Sequence, residues 1–369
     1  MDNKVTFGKW EAVCLLINII NTQIFISFPR LITETGGTAG WIVSIYILIL
    51  SLIGFWLISK LFKRFPNKDI IDIGQEVGGK IVYVILGLSL GVLGIILEAI
   101  TLREFSENVK TISLTNSPIS FIMALFIFGA VFSCYFGIEP IVRIHAIGTS
   151  IIAVIYLIIL LALLPLMDID NVMPVMGNGP YKIFGEGFFR LSFFTGLIIA
   201  FYLPPFIKSF KKFKSSVYTS IIFSGLFMTI GTLVYLMVIP YPSSLENTIP
   251  IYDLSRLINY GRFFQRIEPL FLTIWSFAAY LYFCGGLYFS IYAIKKALNL
   301  PYFEPLIIPL AIIMFNLSIL PESFMSAVKI ENIFSRTYSF IPIFGIPILL
   351  LIVARIRKKG SVDSQDSST

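Results

Sequence analysis

Ten apolar segments follow one another along this chain, most of them long enough to cross a bilayer, and the first breaks up into polar and proline residues before it ends. A helix rises 1.5 Å per residue and the hydrocarbon core is about 30 Å thick, so about 20 mostly apolar residues make one crossing. The segments lie near 9–29, 40–59, 81–102, 118–136, 144–166, 187–206, 217–239, 268–293, 303–320 and 334–354. With 57% hydrophobic and 13% charged residues and a mean hydropathy of +0.87, a soluble domain of 369 residues could not cover its apolar surface, so lipid is the solvent. Open sheets and irregular backbone cannot face lipid, which makes the fold class an all-α integral membrane bundle. Residues 1–359 read as one polytopic membrane domain and 360–369 as a polar, disordered tail. The first apolar run shows no well-placed cleavage site and reads as a signal anchor that is also a structural helix.

Charge sets the expected orientation. An even number of spans puts both termini on one side, and that side collects 18 of the 28 basic residues, including Lys208, Lys211, Lys212 and Lys214 and the tail residues Arg355, Arg357, Lys358 and Lys359. Both termini are therefore expected in the cytoplasm. The net charge of +7 is a topology signal; its lysines are spread over separate loops, and no nucleic acid is expected as a partner. Cys14, Cys134 and Cys284 fall inside spans at irregular spacing and read as small buried residues, with neither a disulfide framework nor a zinc pattern. His145 has no metal-ligand or triad partner in the sequence. No nucleophile motif, phosphate loop or hydrolytic carboxylate pair is present, so neither catalysis, a metal nor a cofactor is expected.

Polar residues inside the spans point to a site. Segment one carries Asn18, Asn21, Thr22, Gln23 and Ser27 ahead of Pro29 and Arg30, and segment six carries Arg190, Ser192, Thr195 and Gly196 ahead of Pro204 and Pro205. They stand five apart, so they correspond in a five-plus-five repeat, and paired interruptions at matching positions mark midplane binding sites in transporters. The alternative is simple hydrogen bonding between helices by Asn and Gln. Glu98 is the acidic residue placed within an apolar run, either as a partner for a substrate amine or proton, or at the interface if its span starts earlier. Gly87, Gly91 and Gly94 let a neighbouring backbone approach helix three closely, Arg103 and Glu107 are spaced to pair, and the stretches 167–186 and 241–267 read as outer lids or docking surfaces.

In chain order, Asn21 to Arg30 ending in Phe28-Pro29-Arg30, the run Arg103 to Lys110, GIEPIVR from Gly137 to Arg143, NVMP from Asn171 to Pro174 with Gly179, Arg266-Ile267-Glu268 followed by Trp275, Lys295-Lys296 and Leu320-Pro321-Glu322 resemble the B subunits of spore germinant receptors. The resemblance runs from about Lys9 to Lys359. It implies membership of the amino acid, polyamine and organocation transporter superfamily, with ten transmembrane helices in a leucine-transporter-like five-plus-five inverted repeat. It implies a sensor in the inner membrane of the bacterial spore, working with an A subunit and a lipoprotein C subunit and binding a small nutrient of the amino acid, sugar or nucleoside class. The rival is a secondary active amino acid transporter. The site implied by residues and resemblance together comprises Asn21, Thr22, Gln23, Ile24, Phe25 and Ile26; Glu98 and Thr101; and Ser192, Phe193, Phe194, Thr195 and Gly196, with Tyr280 and Tyr282 as further walls. Relatives often carry a glycine at the first break and an acidic residue in span six, where this chain has Thr22 to Phe28 without glycine and Gly196-Leu197.

Overall fold

The computed structural model describes residues 6–259 and 268–360. Arg266 and Ile267 of the quoted motif, and the tail beyond Gly360, lie outside the described residues. Every regular element described is helical: α1 (Lys9–Asn21), α2 (Phe28–Gly36), α3 (Gly40–Arg64), α4 (Ile70–Ile112), α5 (Ile119–Tyr135), α6 (Ile138–Ala162), α7 (Leu197–Ala200), α8 (Pro204–Ile207), α9 (Phe210–Val238), α10 (Pro250–Leu257), α11 (Glu268–Ala297), α12 (Ile307–Ile319), α13 (Phe324–Ile333) and α14 (Ile346–Ile356).

Six helical stretches among the described residues are long and apolar enough to cross a membrane: Phe28–Arg64, Ile70–Ile112, Ile138–Leu166, Phe210–Val238, Glu268–Ala297 and Phe324–Ile356. Two shorter apolar helices, Ile119–Tyr135 and Glu304–Ile319, accompany them. Segments one and six are absent from the long set because their helices are interrupted. In the first, α1 ends at Asn21, a 3-10 turn covers Thr22–Phe25, and α2 restarts at Phe28 with Pro29 in its first turn. The sixth runs as a π turn at Tyr181–Gly185, 3-10 geometry over Glu186–Phe194 and the two single-turn helices α7 and α8. Segment ten is also irregular, since π turns at Phe334–Tyr338 and Ile341–Gly345 separate α13 from α14.

The third segment starts beside the expected 81, because Gly79 (φ 79°, ψ −170°) kinks α4 and sets its first turns off from the span, and it runs past the expected 102 to Ile112. Asp69 caps the start of α4 by accepting from the amides of Ile71 and Asp72 at 3.0 and 2.9 Å. The far end stays helical because its polar residues find partners or burial, Arg103 pairing with Glu107 at 2.7 Å. α4 and α11 are the central packed pair. A Cβ on Gly87 would lie 2.6 Å from the Ala297 Cβ and 3.0 Å from the Ala293 carbonyl oxygen, so the two backbones meet where a side chain has no room. Lys296 on α11 closes the pair by bridging Asp69 and Asp72, and the Tyr292 hydroxyl donates to Asp69 at 2.8 Å.

The described residues of the two expected outer stretches pack onto the interrupted segments. Asn178 donates to the carbonyls of Glu34 and Thr35 at the end of α2, and the Thr38 hydroxyl donates to the Pro174 carbonyl at 2.6 Å. In the second stretch, α10 buries Ile251 and Leu254 and packs against α9, α11 and the Thr22–Phe25 turn. All three cysteines are free and buried.

Candidate functional site

The first break forms without glycine. Ile26 adopts φ −109°, ψ −94° and Ser27 φ −113°, ψ −9°, both on the negative-φ side that a β-branched or hydroxyl side chain tolerates. The turn is held locally, the Thr22 hydroxyl donating back to the Asn18 carbonyl at 2.8 Å, and the Asn18 amide reaches the Ala278 carbonyl of α11. The missing glycine therefore leaves the interruption intact.

A central cavity of about 60 Å³ lies among the first break, the middle of α4, the irregular sixth segment, α11 and the π turn of segment ten. At about 10–15 Å³ for each water, that is room for a few waters. Six expected residues line it: Gln23, Glu98, Thr101, Phe193, Thr195 and Gly196, together with Tyr282. The others go elsewhere. Asn21, Thr22, Ile24 and Phe25 line a second cavity of about 30 Å³ against Tyr156 and Phe227, with the Phe25 ring edge-on to Tyr156 at 5.5 Å. Ile26 and Phe194 are fully buried in the apolar core. Ser192 accepts from the Phe340 amide at 3.0 Å, tying segment six to segment ten. Tyr280 turns to α5, where its hydroxyl meets that of Ser133 at 2.6 Å. A 3-10 turn sends successive side chains in different directions, so the stretch Asn21–Ile26 is shared among two cavities and the core.

Glu98 is 4% exposed, has no ion-pair partner among the described residues, and leaves its Oε2 without a hydrogen bond. Its carboxyl presses on Gly286 of α11, where any Cβ would come 1.6 Å from the Glu98 Oε1. Glycine at 286 is what admits this carboxyl to the cavity wall.

Arg336, absent from the sequence-based set, is the cation of the site. It is 1% exposed, bonds through Nη2 to Gln23 of the first break and to Glu331 of α13, and lays its guanidinium 5.0 Å from the Phe193 ring centroid of segment six. Glu104 of α4 is buried within electrostatic reach of it. One arginine thus joins all three interrupted segments. An arginine in the opening turn of a span read as starting at 334 looks like a flanking charge; only the π turn Phe334–Tyr338 carries it inward.

Barriers stand at both ends of the cavity. Past Ile199 on segment six, Tyr202 stacks on Phe289 at 5.7 Å and meets Tyr292 edge-on at 5.9 Å, next to the Asp69–Lys296 bridge. On the other side the Phe193 ring meets Phe28 at 4.6 Å, and Arg190 bonds Thr35 of α2 at 2.9 Å and Asn332 of α13 at 3.1 Å. A carboxyl with a spare acceptor, hydroxyls at Thr101 and Ser290 and apolar walls suit a small polar solute carrying hydrogen-bond donors.

A family model described as "Spore germination protein" matches residues 8–325. Spore germination protein YndE of Bacillus subtilis (strain 168) is 27% identical over 366 residues, covering 95% of this chain and 96% of the relative. Spore germination protein B2 of the same organism is 25% identical over 279 residues, 74% of each chain, and spore germination protein A2 is 22% identical over 362 residues, 95% and 96%. Among solved structures, Mhp1, a nucleobase-cation-symport-1 family transporter in a closed conformation with bromovinylhydantoin bound, superposes with a TM-score of 0.66 at 11% identity over 98% of this chain and 95% of that one. At that identity the likeness is one of fold, and the chain has a transporter fold.

Proposed function

The chain belongs to the spore germination protein family, a family of membrane proteins and not of enzymes, and on that premise we propose that it is the transporter-like B subunit of a spore germinant receptor. In this reading it has ten spans in a five-plus-five inverted repeat within residues 1–359, sits in the inner membrane of the spore with both termini cytoplasmic, and works with an A subunit and a lipoprotein C subunit. Its ligand is a small nutrient of the amino acid, sugar or nucleoside class.

The observation that carries the reading is the central cavity walled by interrupted segments on one side and the closely packed α4–α11 pair on the other. A ligand touching both Glu98 on α4 and Thr195 or Gln23 on the interrupted segments interacts differently with each arrangement of the two parts, and only such differential contact moves a conformational equilibrium. Arg336 gives that motion a common hub, because Gln23, Glu331 and Phe193 all bear on it.

The test is germination of spores carrying Glu98→Gln, Thr195→Val or Gln23→Leu, scored against nutrient concentration with the protein level checked in each strain. Responses shifted to higher nutrient concentration support the site, and unchanged responses in all three strains refute it. Accumulation of labelled amino acid in vesicles, driven by a sodium or proton gradient, would replace the receptor reading with that of a secondary active transporter.

A further inference from the structure

Three helix ends far apart in the sequence meet at one end of the bundle. α3 finishes there with Lys60, Lys63 and Arg64, α9 starts there with Lys211, Lys212 and Lys214, and the backbone that leaves α14 arrives beside them. Phe62 and Phe213 hold α3 to α9 with rings 5.1 Å apart, and the Arg64 guanidinium donates to the Lys359 carbonyl at 3.2 Å. Among the described residues, none of these six cations forms an ion pair with a carboxylate.

The three lysines of α9 are placed against their own helix. They occupy its first turns, at the positive end of the helix dipole, and no acidic residue stands in the first turn to offset them. An anion brought to this end from outside the described residues would meet both the ammonium groups and the positive end of the helix dipole.

The surface leading to the cations says what carries it. On α3, Ile49, Ile53 and Trp56 are about half exposed and precede Lys60 and Lys63 at spacings of four, three, four and three, so the five share one helix face. The Lys60 Nζ lies 3.2 Å from the Trp56 ring centroid, where the apolar stripe gives way to charge. On α9, Leu226 and Ile222 lead in the same way to Tyr218 and Lys211, and Lys214 lies 5.8 Å from the Tyr218 ring. Phe210, Lys211, Lys214 and Tyr218 line one shallow, open face at the start of α9. An occupant that matches such a surface has a long apolar part and an anionic head.

We propose that this end of the bundle binds anionic phospholipid, its phosphate at the Lys60–Lys63 and Lys211–Lys214 ammonium groups and its acyl chains along the two stripes. A soluble acidic protein would satisfy the charge and leave the stripes bare. The inference is independent of the nutrient-site reading.

The experiment uses the full chain purified in a nonionic detergent, with lipid retention read by native mass spectrometry. Phosphatidylglycerol and phosphatidylcholine with identical acyl chains are compared, with inorganic phosphate and polyglutamate as competitors. The expected result is preferential retention of phosphatidylglycerol, falling about fivefold for each lysine changed to glutamine among Lys60, Lys63, Lys211 and Lys214. Lysine-to-arginine changes at the same positions are expected to keep the preference, and equal melting temperatures for the two sets exclude misfolding as the cause. Equal retention of the two lipids, or a preference that survives the glutamine changes, overturns the proposal. Displacement by millimolar phosphate would reassign the site to free phosphate, and displacement by polyglutamate to an acidic protein, and either result overturns it as well.

Discussion

The α4–α11 pair and the trio of segments one, six and ten solve the same problem in opposite ways. Beyond the kink of α4 at Gly79 (φ 79°, ψ −170°), the pair keeps regular helix, satisfies its backbone within each helix, and uses small residues to bring two cylinders to backbone contact at Gly87. The trio abandons regular geometry at Thr22–Phe25, Glu186–Phe194 and Phe334–Tyr338 and is held by side chains instead: Arg336 to Gln23 and Glu331, Ser192 to the Phe340 amide, Arg190 to Thr35 and Asn332. A continuous helix has one arrangement of its hydrogen bonds, whereas bonds made by side chains across segments can be exchanged for others. The cavity lies on the seam between the two constructions, with Glu98 on the rigid side and Gln23, Thr195 and Arg336 on the other.

Cutting the hub tests that contrast most severely. Arg336→Ala leaves Glu331 buried without its cation and is expected to lower stability by about 3–5 kcal/mol, whereas a paired Arg336→Met, Glu331→Leu change is expected to be near neutral. Thermal melting of the purified protein in detergent decides it: a small loss for the single change would mean that the trio does not depend on this pair. On the rigid side, Gly87→Val forces apart two backbones with no space between them. An overpacking penalty of about 1–3 kcal/mol is expected, with loss of any engineered cross-link between α4 and α11 near this level.

Smaller effects sharpen the comparison. Ser192→Ala removes the acceptor of the Phe340 amide and should lower stability by about 1 kcal/mol, visible as faster hydrogen exchange around Phe340 while α4 and α11 are unaffected. Glu98→Gln is the smallest for the fold and the largest for function. The carboxyl has no ion-pair partner among the described residues, so the melting temperature should scarcely move while the nutrient response shifts to higher concentration. A large drop in melting temperature would make Glu98 a structural residue and remove it from the site.

Part of this was legible along the chain and part was not. The interruptions at Asn21–Ser27 and Ser192–Pro205 showed because polar and proline residues inside an apolar run are local facts. Glu98 showed for the same reason, and it is buried in the wall of the central cavity. Arg336 stayed hidden because its sequence position is that of an ordinary flanking cation, and a π turn supplied by tertiary packing carries it inward. The division of Asn21–Ile26 was equally invisible, since it depends on the phase of a 3-10 turn that composition does not report. The missing glycine looked like evidence against a break, but a break that stays at negative φ needs none.

Composition and hydropathy, acting through the solvent, are enough to place this chain in lipid as a helical bundle, because every buried backbone group there must be paired within its own segment. The discontinuities in segments one and six follow from residues that cannot meet that demand. The assembly of a site from Gln23, Glu98, Thr195 and Arg336, and of a basic patch from the ends of α3 and α9, belongs to tertiary structure alone. Which side chains meet across 313 residues, as Gln23 and Arg336 do, is set by how helices rotate and cross when packed, and no local property of either segment encodes it.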